Sequence, residues 1–64
     1  MYIGDVVQFN EKHQWKGALG IIDEMDDTTY LIQMTVPSGA EMRTFYIRVS
    51  YDKVEYVGEA YTKE

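Results

Sequence analysis

Apolar and polar residues alternate along most of the chain with the two-residue period of β-strands. The alternation is clearest over residues 30–36 and 42–49, in both of which one face is largely apolar. Shorter segments of the same kind occupy residues 6–9, 20–26 and 55–57. No stretch places apolar residues at helical spacing over three turns. The pattern therefore predicts five β-strands and no α-helix of two turns or more.

The segment between the two clearest strands predicts a tight hairpin. Pro37 fixes its own φ at about −65°, and Gly39 tolerates a left-handed conformation. Residues 36–39 are therefore typical of a type I turn with a bulge. Such a turn joins strands at residues 29–36 and 41–49.

Three other connections complete the predicted fold. Residues 26–28 predict a turn, because aspartate side chains hydrogen-bond their own backbone. Ser50 is a candidate cap for a single 3₁₀ turn over residues 50–54, just before the last strand. A ten-residue loop, residues 10–19, separates the first two strands.

The inward-facing positions of these strands predict the hydrophobic core. The expected core residues are Val7, Phe9, Ile22, Ile32, Met34, Val36, Phe45, Ile47, Val49 and Val57. Truncating Phe45 or Ile47 to alanine is therefore expected to cost about 2–5 kcal/mol, enough to unfold a small domain. The register stays open in the first two strands, where the adjacent apolar residues at 6–7 and 21–22 could exchange faces.

Length and composition narrow the class of protein. The 64 residues predict one small domain spanning residues 1–64, and the absence of cysteine excludes disulfides and thiolate zinc sites. No apolar run approaches the ~20 residues that a membrane span needs. The first five residues lack the basic and apolar regions of a signal peptide. We therefore expect a cytoplasmic protein that does not insert into a membrane.

Two short motifs resemble a known class of small β-barrel. Gly-Asp-Val-Val at residues 4–7 and Lys-Gly-Ala-Leu-Gly-Ile-Ile at residues 16–22 look like the opening of a KOW-type domain, a variant of the SH3-like barrel. The predicted order of strands, long first loop, tight hairpin and 3₁₀ turn is also similar to that of SH3-like barrels. The resemblance implies a five-stranded antiparallel barrel whose edges nearly close. KOW-type domains occur in ribosomal proteins and transcription elongation factors, so it also implies nucleic-acid binding.

The chain offers little for catalysis or metal binding. His13 is the single histidine, while Ser38 and Ser50 fall in a predicted turn and at a predicted strand end. These residues do not suggest a nucleophile with its base. One histidine without cysteine also supplies too few ligands for a zinc site. We therefore expect no enzymatic activity, no metal and no cofactor.

The first loop carries the main candidates for binding. It contains the only tryptophan, Trp15, together with Lys12 and Lys16. In the SH3-like barrels that the chain resembles, this loop lies beside the ligand groove, and an exposed indole could stack on a ring of the partner. The alternative is that Trp15 folds back and covers the open end of the core.

The fourth strand carries a second set of candidates. Tyr46 and Arg48 share the face opposite the predicted core, and with Arg43 they could meet an acidic or aromatic ligand. Cation–π packing between strand neighbours is the structural alternative. The tyrosines in general could form a binding surface or cover strand exteriors. They are Tyr2, Tyr30, Tyr46, Tyr51, Tyr56 and Tyr61.

Residues 23–27 hold four carboxylates in five positions. They lack the ligand spacing and the central glycine of a calcium loop. They could mimic the phosphate backbone of a nucleic acid, although a solvated turn is the plainer interpretation. This turn is the next candidate site if Trp15 is structural.

Two functions fit these features. The first is a non-enzymatic adaptor or inhibitor that binds another protein, similar to short acidic accessory proteins of bacteria and phages. The second is nucleic-acid binding through a local patch of Lys12, Lys16, Arg43 and Arg48. The net charge of −5, from 6 basic and 11 acidic residues, favours the first, because affinity for a polyanion comes mainly from cations. The two functions differ in whether those four side chains meet on one face.

Overall fold

The computed structural model describes residues 1–59, and Tyr61 lies outside them. Its strands are β1 (Asp5–Phe9), β2 (Leu19–Met25), β3 (Thr29–Ser38), β4 (Glu41–Ser50) and β5 (Val54–Glu59). A single 3₁₀ turn, η1 (Tyr51–Lys53), precedes β5. Every strand pairing is antiparallel. The expected all-β chain of five strands, with one 3₁₀ turn before the last, is confirmed.

The strands form one sheet in the order β4-β3-β2-β1-β5. β1 pairs with both β2 and β5, while β3 pairs with both β2 and β4. Within residues 1–59, the outer strands β4 and β5 do not pair with each other, so the sheet is open. The expected closure into an SH3-like barrel is therefore not confirmed.

One face of the sheet carries the core. Its buried hydrophobic residues are Val7, Phe9, Ile22, Tyr30, Ile32, Met34, Val49 and Val54. Antiparallel pairing keeps directly opposed side chains on one face, and Phe9 lies opposite Val54 as Tyr30 lies opposite Val49. The 3₁₀ turn covers this core, because the ring of Tyr51 stacks on that of Tyr30 with centroids 4.3 Å apart. Six of the ten predicted core residues are confirmed as buried, and Ile47 and Val36 are half-buried.

Val57 was expected in the core, and this prediction is wrong. Its side chain is 53% exposed. The pairing of β1 with β5 explains the difference, because Val6 lies opposite Gly58 while Val7 lies opposite Tyr56. Val57 is thus the extra residue of a β-bulge, without a partner in β1, and its strand no longer alternates regularly.

Phe45 was also expected in the core, and it is 49% exposed. It does lie on the predicted face, opposite the buried Met34. The reason for its exposure is the length of the β3–β4 hairpin, since β3 pairs with β2 only as far as Gln33. Beyond that point β3 and β4 form a two-stranded ribbon whose inner face extends past the core. The ribbon therefore leaves Phe45 and the half-buried Val36 at the edge of the core.

The hairpin turn differs from the expected one. Strand pairing continues to Ser38 opposite Glu41, so the turn has only two central residues, Gly39 and Ala40. Gly39 has φ +66° at the first central position, as in the type II′ turns that suit the twist of hairpin strands. Pro37 lies within β3 rather than in the turn, where β3 has no β2 neighbour that would need its missing N–H. Ser50, the expected cap of η1, forms no capping hydrogen bond through its side chain.

Candidate functional site

The first loop is held at both ends by backbone hydrogen bonds. The N–H of Phe9 donates to Ala18 O at 2.8 Å, and the N–H of Gly17 donates to Phe9 O at 2.7 Å. Gly17 has φ +89°, a conformation that favours glycine. The side chain of Asn10 donates to Asp52 O at 2.8 Å and thereby attaches the loop to η1. The loop is consequently a defined part of the fold.

Trp15 is neither fully folded onto the core nor fully exposed, the two positions that the sequence left open. Its backbone N–H donates to Nδ1 of His13 at 3.0 Å, and the imidazole packs edge-on against Phe9 with ring centroids 4.6 Å apart. The indole itself lies 6.1 Å from the Phe9 ring, centroid to centroid. It nevertheless remains 42% exposed. One part of the indole therefore covers the edge of the core, while the rest is available to a partner.

An open groove of about 540 Å³ lies between this loop and the β3–β4 ribbon. Its lining residues are Trp15, Lys16, Ala18, Met34, Val36 and Phe45. We call it the Trp15 groove. All of these residues except Lys16 are apolar, and the two aromatic rings are each about half exposed. A groove of this composition favours an apolar side chain of a ligand, because each carbon it buries leaves water.

The groove contains residues that the sequence placed only in the core or in no role. Phe45, Val36 and Met34 were predicted core residues, and Ala18 had no predicted role in the core or in binding. The sequence did contain a signal for an exposed hairpin end, because the predicted hairpin strands at 29–36 and 41–49 are longer than the neighbouring segment 20–26. Their far ends could not all be covered by that neighbour.

Tyr46 and Arg48 lie away from the groove. Both are exposed, and they lie on the face of β4 that points away from Phe45. The face predicted for them is therefore confirmed. Arg48 is already engaged: its Nη1 donates to Asp26 Oδ2 at 2.9 Å, and its Nη2 lies 4.0 Å from Glu24 Oε1. Of the candidate binding residues, the groove therefore brings Trp15 together with Lys16, while Tyr46 and Arg48 lie outside it.

The four basic candidates do not make one patch. Arg43 and Arg48 are five positions apart in β4 and so lie on opposite faces of the sheet. Lys12 lies 3.9 Å from the carboxylate of Asp52, at η1. Only Lys16 lines the groove directly, and Arg43 lies opposite Val36 on the groove side of the ribbon.

The acidic turn is organised by Asp26. Its carboxylate accepts the backbone N–H of Thr28 at 2.9 Å and of Thr29 at 2.7 Å, and it also accepts the Thr29 hydroxyl. These hydrogen bonds, together with the charge of Arg48, hold the pKa of Asp26 below its ordinary value. The turn thus uses its best-placed carboxylate to fix the chain between β2 and β3.

This geometry predicts how acid affects stability. A carboxyl whose folded pKa is lowered stabilises the fold above its unfolded pKa of 3.8, and the contribution disappears as pH falls through the lower folded value. We expect the melting temperature of the wild type to fall below about pH 4 more steeply than that of Asp26→Asn. Asp27→Asn is the control, because Asp27 forms no hydrogen bond or ion pair through its side chain within residues 1–59. Parallel pH profiles for the wild type and Asp26→Asn would contradict this assignment.

Neither related proteins nor a metal cluster or membrane-spanning helix in residues 1–59 adds information about the site. No protein-family model, curated protein or solved structure matches the chain. In the part of the chain that the structure describes, no three or more histidine, aspartate or glutamate side chains are placed to hold a metal ion. No helix within residues 1–59 has the length and apolarity to cross a membrane. The site is accordingly defined by its own residues.

Proposed function

We propose that this chain is a non-enzymatic binding module that holds a segment of another protein in the Trp15 groove. The observation that carries the proposal is the apolar groove itself, open between the half-exposed rings of Trp15 and Phe45. Binding energy at protein interfaces concentrates in a few aromatic anchors that fill or form a pocket. An adaptor or an inhibitor would act through such a contact without any chemical step.

We also propose that the fold is a relative of the SH3-like barrel. The strand order, the loop between β1 and β2 beside the groove, and the 3₁₀ turn between β4 and β5 support this proposal. An SH3-like barrel binds its ligand next to the first loop, where the Trp15 groove lies. The proposal thus agrees with the position of the candidate site.

Nucleic-acid binding stays as the second candidate function. The KOW-like opening supports it, as does an exposed indole with Lys16 beside it. The separation of the basic side chains weakens it, because a polyanion needs several cations along its path. The net charge of −5 acts in the same direction.

Selection from a library of short displayed random peptides tests the proposal. The library is bound to the immobilised wild-type protein, and peptides that also bind Phe45→Ala are removed. We expect the surviving peptides to contain a large apolar residue and to shift the emission of Trp15, because their side chain packs against the indole.

Tyr46→Ala provides the matched control in this selection. Tyr46 adjoins Phe45 in sequence and is 56% exposed against 49%, but it lies on the opposite face of β4. The selected peptides should bind this variant as they bind the wild type. If every peptide that binds the wild type also binds Phe45→Ala, so that none survives the subtraction, the result would count against the groove as the binding site.

A further inference from the structure

We propose that the protein segment in the Trp15 groove carries a carboxylate beside its apolar side chain, and that Lys16 and Arg43 bind this carboxylate. The inference rests on the proposed function and adds the charge of the partner to it. The inference is based on charge complementarity between the partner and the cations of the fold that form no ion pair.

The cations of the described chain divide into two groups. Lys12 and Arg48 form ion pairs with carboxylates, and Lys53 donates to the backbone oxygen of Lys12 at 3.1 Å. The side chains of Lys16 and Arg43 form neither an ion pair nor a hydrogen bond within residues 1–59. Within residues 1–59, Lys16 and Arg43 are therefore the two cations whose side chains have no partner in the fold.

Both of these cations adjoin the groove, one from each of its walls. Lys16 lines the loop side next to Trp15. Arg43 lies directly opposite Val36 in the ribbon, and directly opposed side chains have Cβ atoms about 4.5–5.5 Å apart. Glu41 shares this face two residues nearer the turn, and it forms no ion pair with Arg43. A ligand resting on the apolar lining therefore lies beside Lys16 of the loop and near Arg43 of the hairpin, neither of which has an ion-pair partner within residues 1–59.

A peptide fits this arrangement better than a nucleic acid does. Every nucleotide adds a phosphate, so a strand would present a row of charges to only two cations on a protein of net charge −5. A peptide with one carboxylate next to a large apolar residue matches both the lining and the cations. The guanidinium of Arg43 can also hold a carboxylate through two parallel hydrogen bonds.

Matched peptides test the inference directly. A Phe45-dependent peptide from the selection is synthesised in two forms, one with its Asp or Glu and one with Asn or Gln at that position. We expect the acidic form to bind the wild type roughly fivefold more tightly, the size of effect that one or two exposed ion pairs produce. The preference should shrink as salt concentration rises.

Two variants locate the preference. The double variant Lys16→Gln/Arg43→Gln should bind the two forms equally, because it removes both cations and leaves the apolar lining residues in place. Lys12→Gln removes a lysine of the same loop that is paired with Asp52, and it should keep the full preference. Both variants are expected to melt at the wild-type temperature, because the side chains of Lys12, Lys16 and Arg43 are all exposed.

The possible failures are distinguishable. Phe45-dependent peptides that lack acidic residues, or a preference that survives in the double variant, would overturn this inference and leave the proposed function standing. The absence of any Phe45-dependent peptide would remove both. A fluorescent single-stranded oligonucleotide that binds the wild type but neither Phe45→Ala nor the double variant would assign the groove to nucleic acid instead.

Discussion

Phe9→Ala is expected to leave much of the protein unfolded at physiological temperature. Phe9 is the core residue at the end of β1 and is 1% exposed. His13 packs on its ring, and Val54 lies opposite it in β5. Truncating a buried phenylalanine costs about 3–5 kcal/mol. A domain of 64 residues has a total stability of about 3–10 kcal/mol if each residue contributes about 0.05–0.15 kcal/mol. Urea denaturation followed by circular dichroism measures the loss.

Phe45→Ala is the matched control, because Phe9 and Phe45 are the two phenylalanines of the chain. Phe45 is half exposed beyond the end of the core, so its truncation should cost about 1 kcal/mol or less. The alternation pattern places both rings in the core and therefore predicts similar losses of stability. The structure instead predicts a much larger loss for Phe9→Ala than for Phe45→Ala. Equal losses of stability would mean that the ribbon packs more closely than described.

Gly20→Ala is expected to be the second strongly destabilising change. Gly20 is buried in β2, and an added Cβ would overlap Cγ2 of Ile32 and lie 3.1 Å from the carbonyl oxygen of Gln33. Ile32 is fully buried, and the carbonyl belongs to the sheet, so neither can move freely. Overfilling a packed core in this way costs about 1–3 kcal/mol. The midpoint of thermal unfolding reports the effect.

Gly58→Ala is the corresponding control in β5. No atom lies within 4 Å of a Cβ added there, and its φ is not in the left-handed region. This substitution should leave stability unchanged or raise it by up to about 1 kcal/mol, because alanine has fewer unfolded conformations to lose. If both glycine variants behave alike, the close approach of β2 to β3 at Gly20 is not as described.

The alternation of apolar residues was sufficient to predict the strands and most of the core. It worked best in β3, where Ile32 and Met34 point inward without interruption. It failed at Val57, because a bulge shifts the register by one residue and leaves no trace in a six-residue strand. It also missed Tyr30 and Val54, since one was treated as a surface tyrosine and the other as part of the 3₁₀ turn.

The binding groove was harder to predict than the sheet. Alternation assigns a side chain to a face, but the neighbouring strand decides how deeply that side chain is buried. Phe45 shows this limit, since its face was predicted and its exposure was not. The pairing of Arg48 with Asp26 depends on bringing the turn beside β4, a contact between residues 22 positions apart. Sequence spacing gave no signal for it.

The affinity for Phe45→Ala and for Tyr46→Ala of one peptide selected on the wild-type protein alone, without subtraction on Phe45→Ala, tests the central claim most directly. The titration follows the fluorescence of Trp15, and circular dichroism establishes that both variants are folded. We expect Phe45→Ala to bind at least about thirtyfold more weakly, corresponding to ~2 kcal/mol for an anchor residue, and Tyr46→Ala to bind like the wild type. Equal affinities for both variants, or a loss confined to Tyr46→Ala, would contradict a binding site in the Trp15 groove.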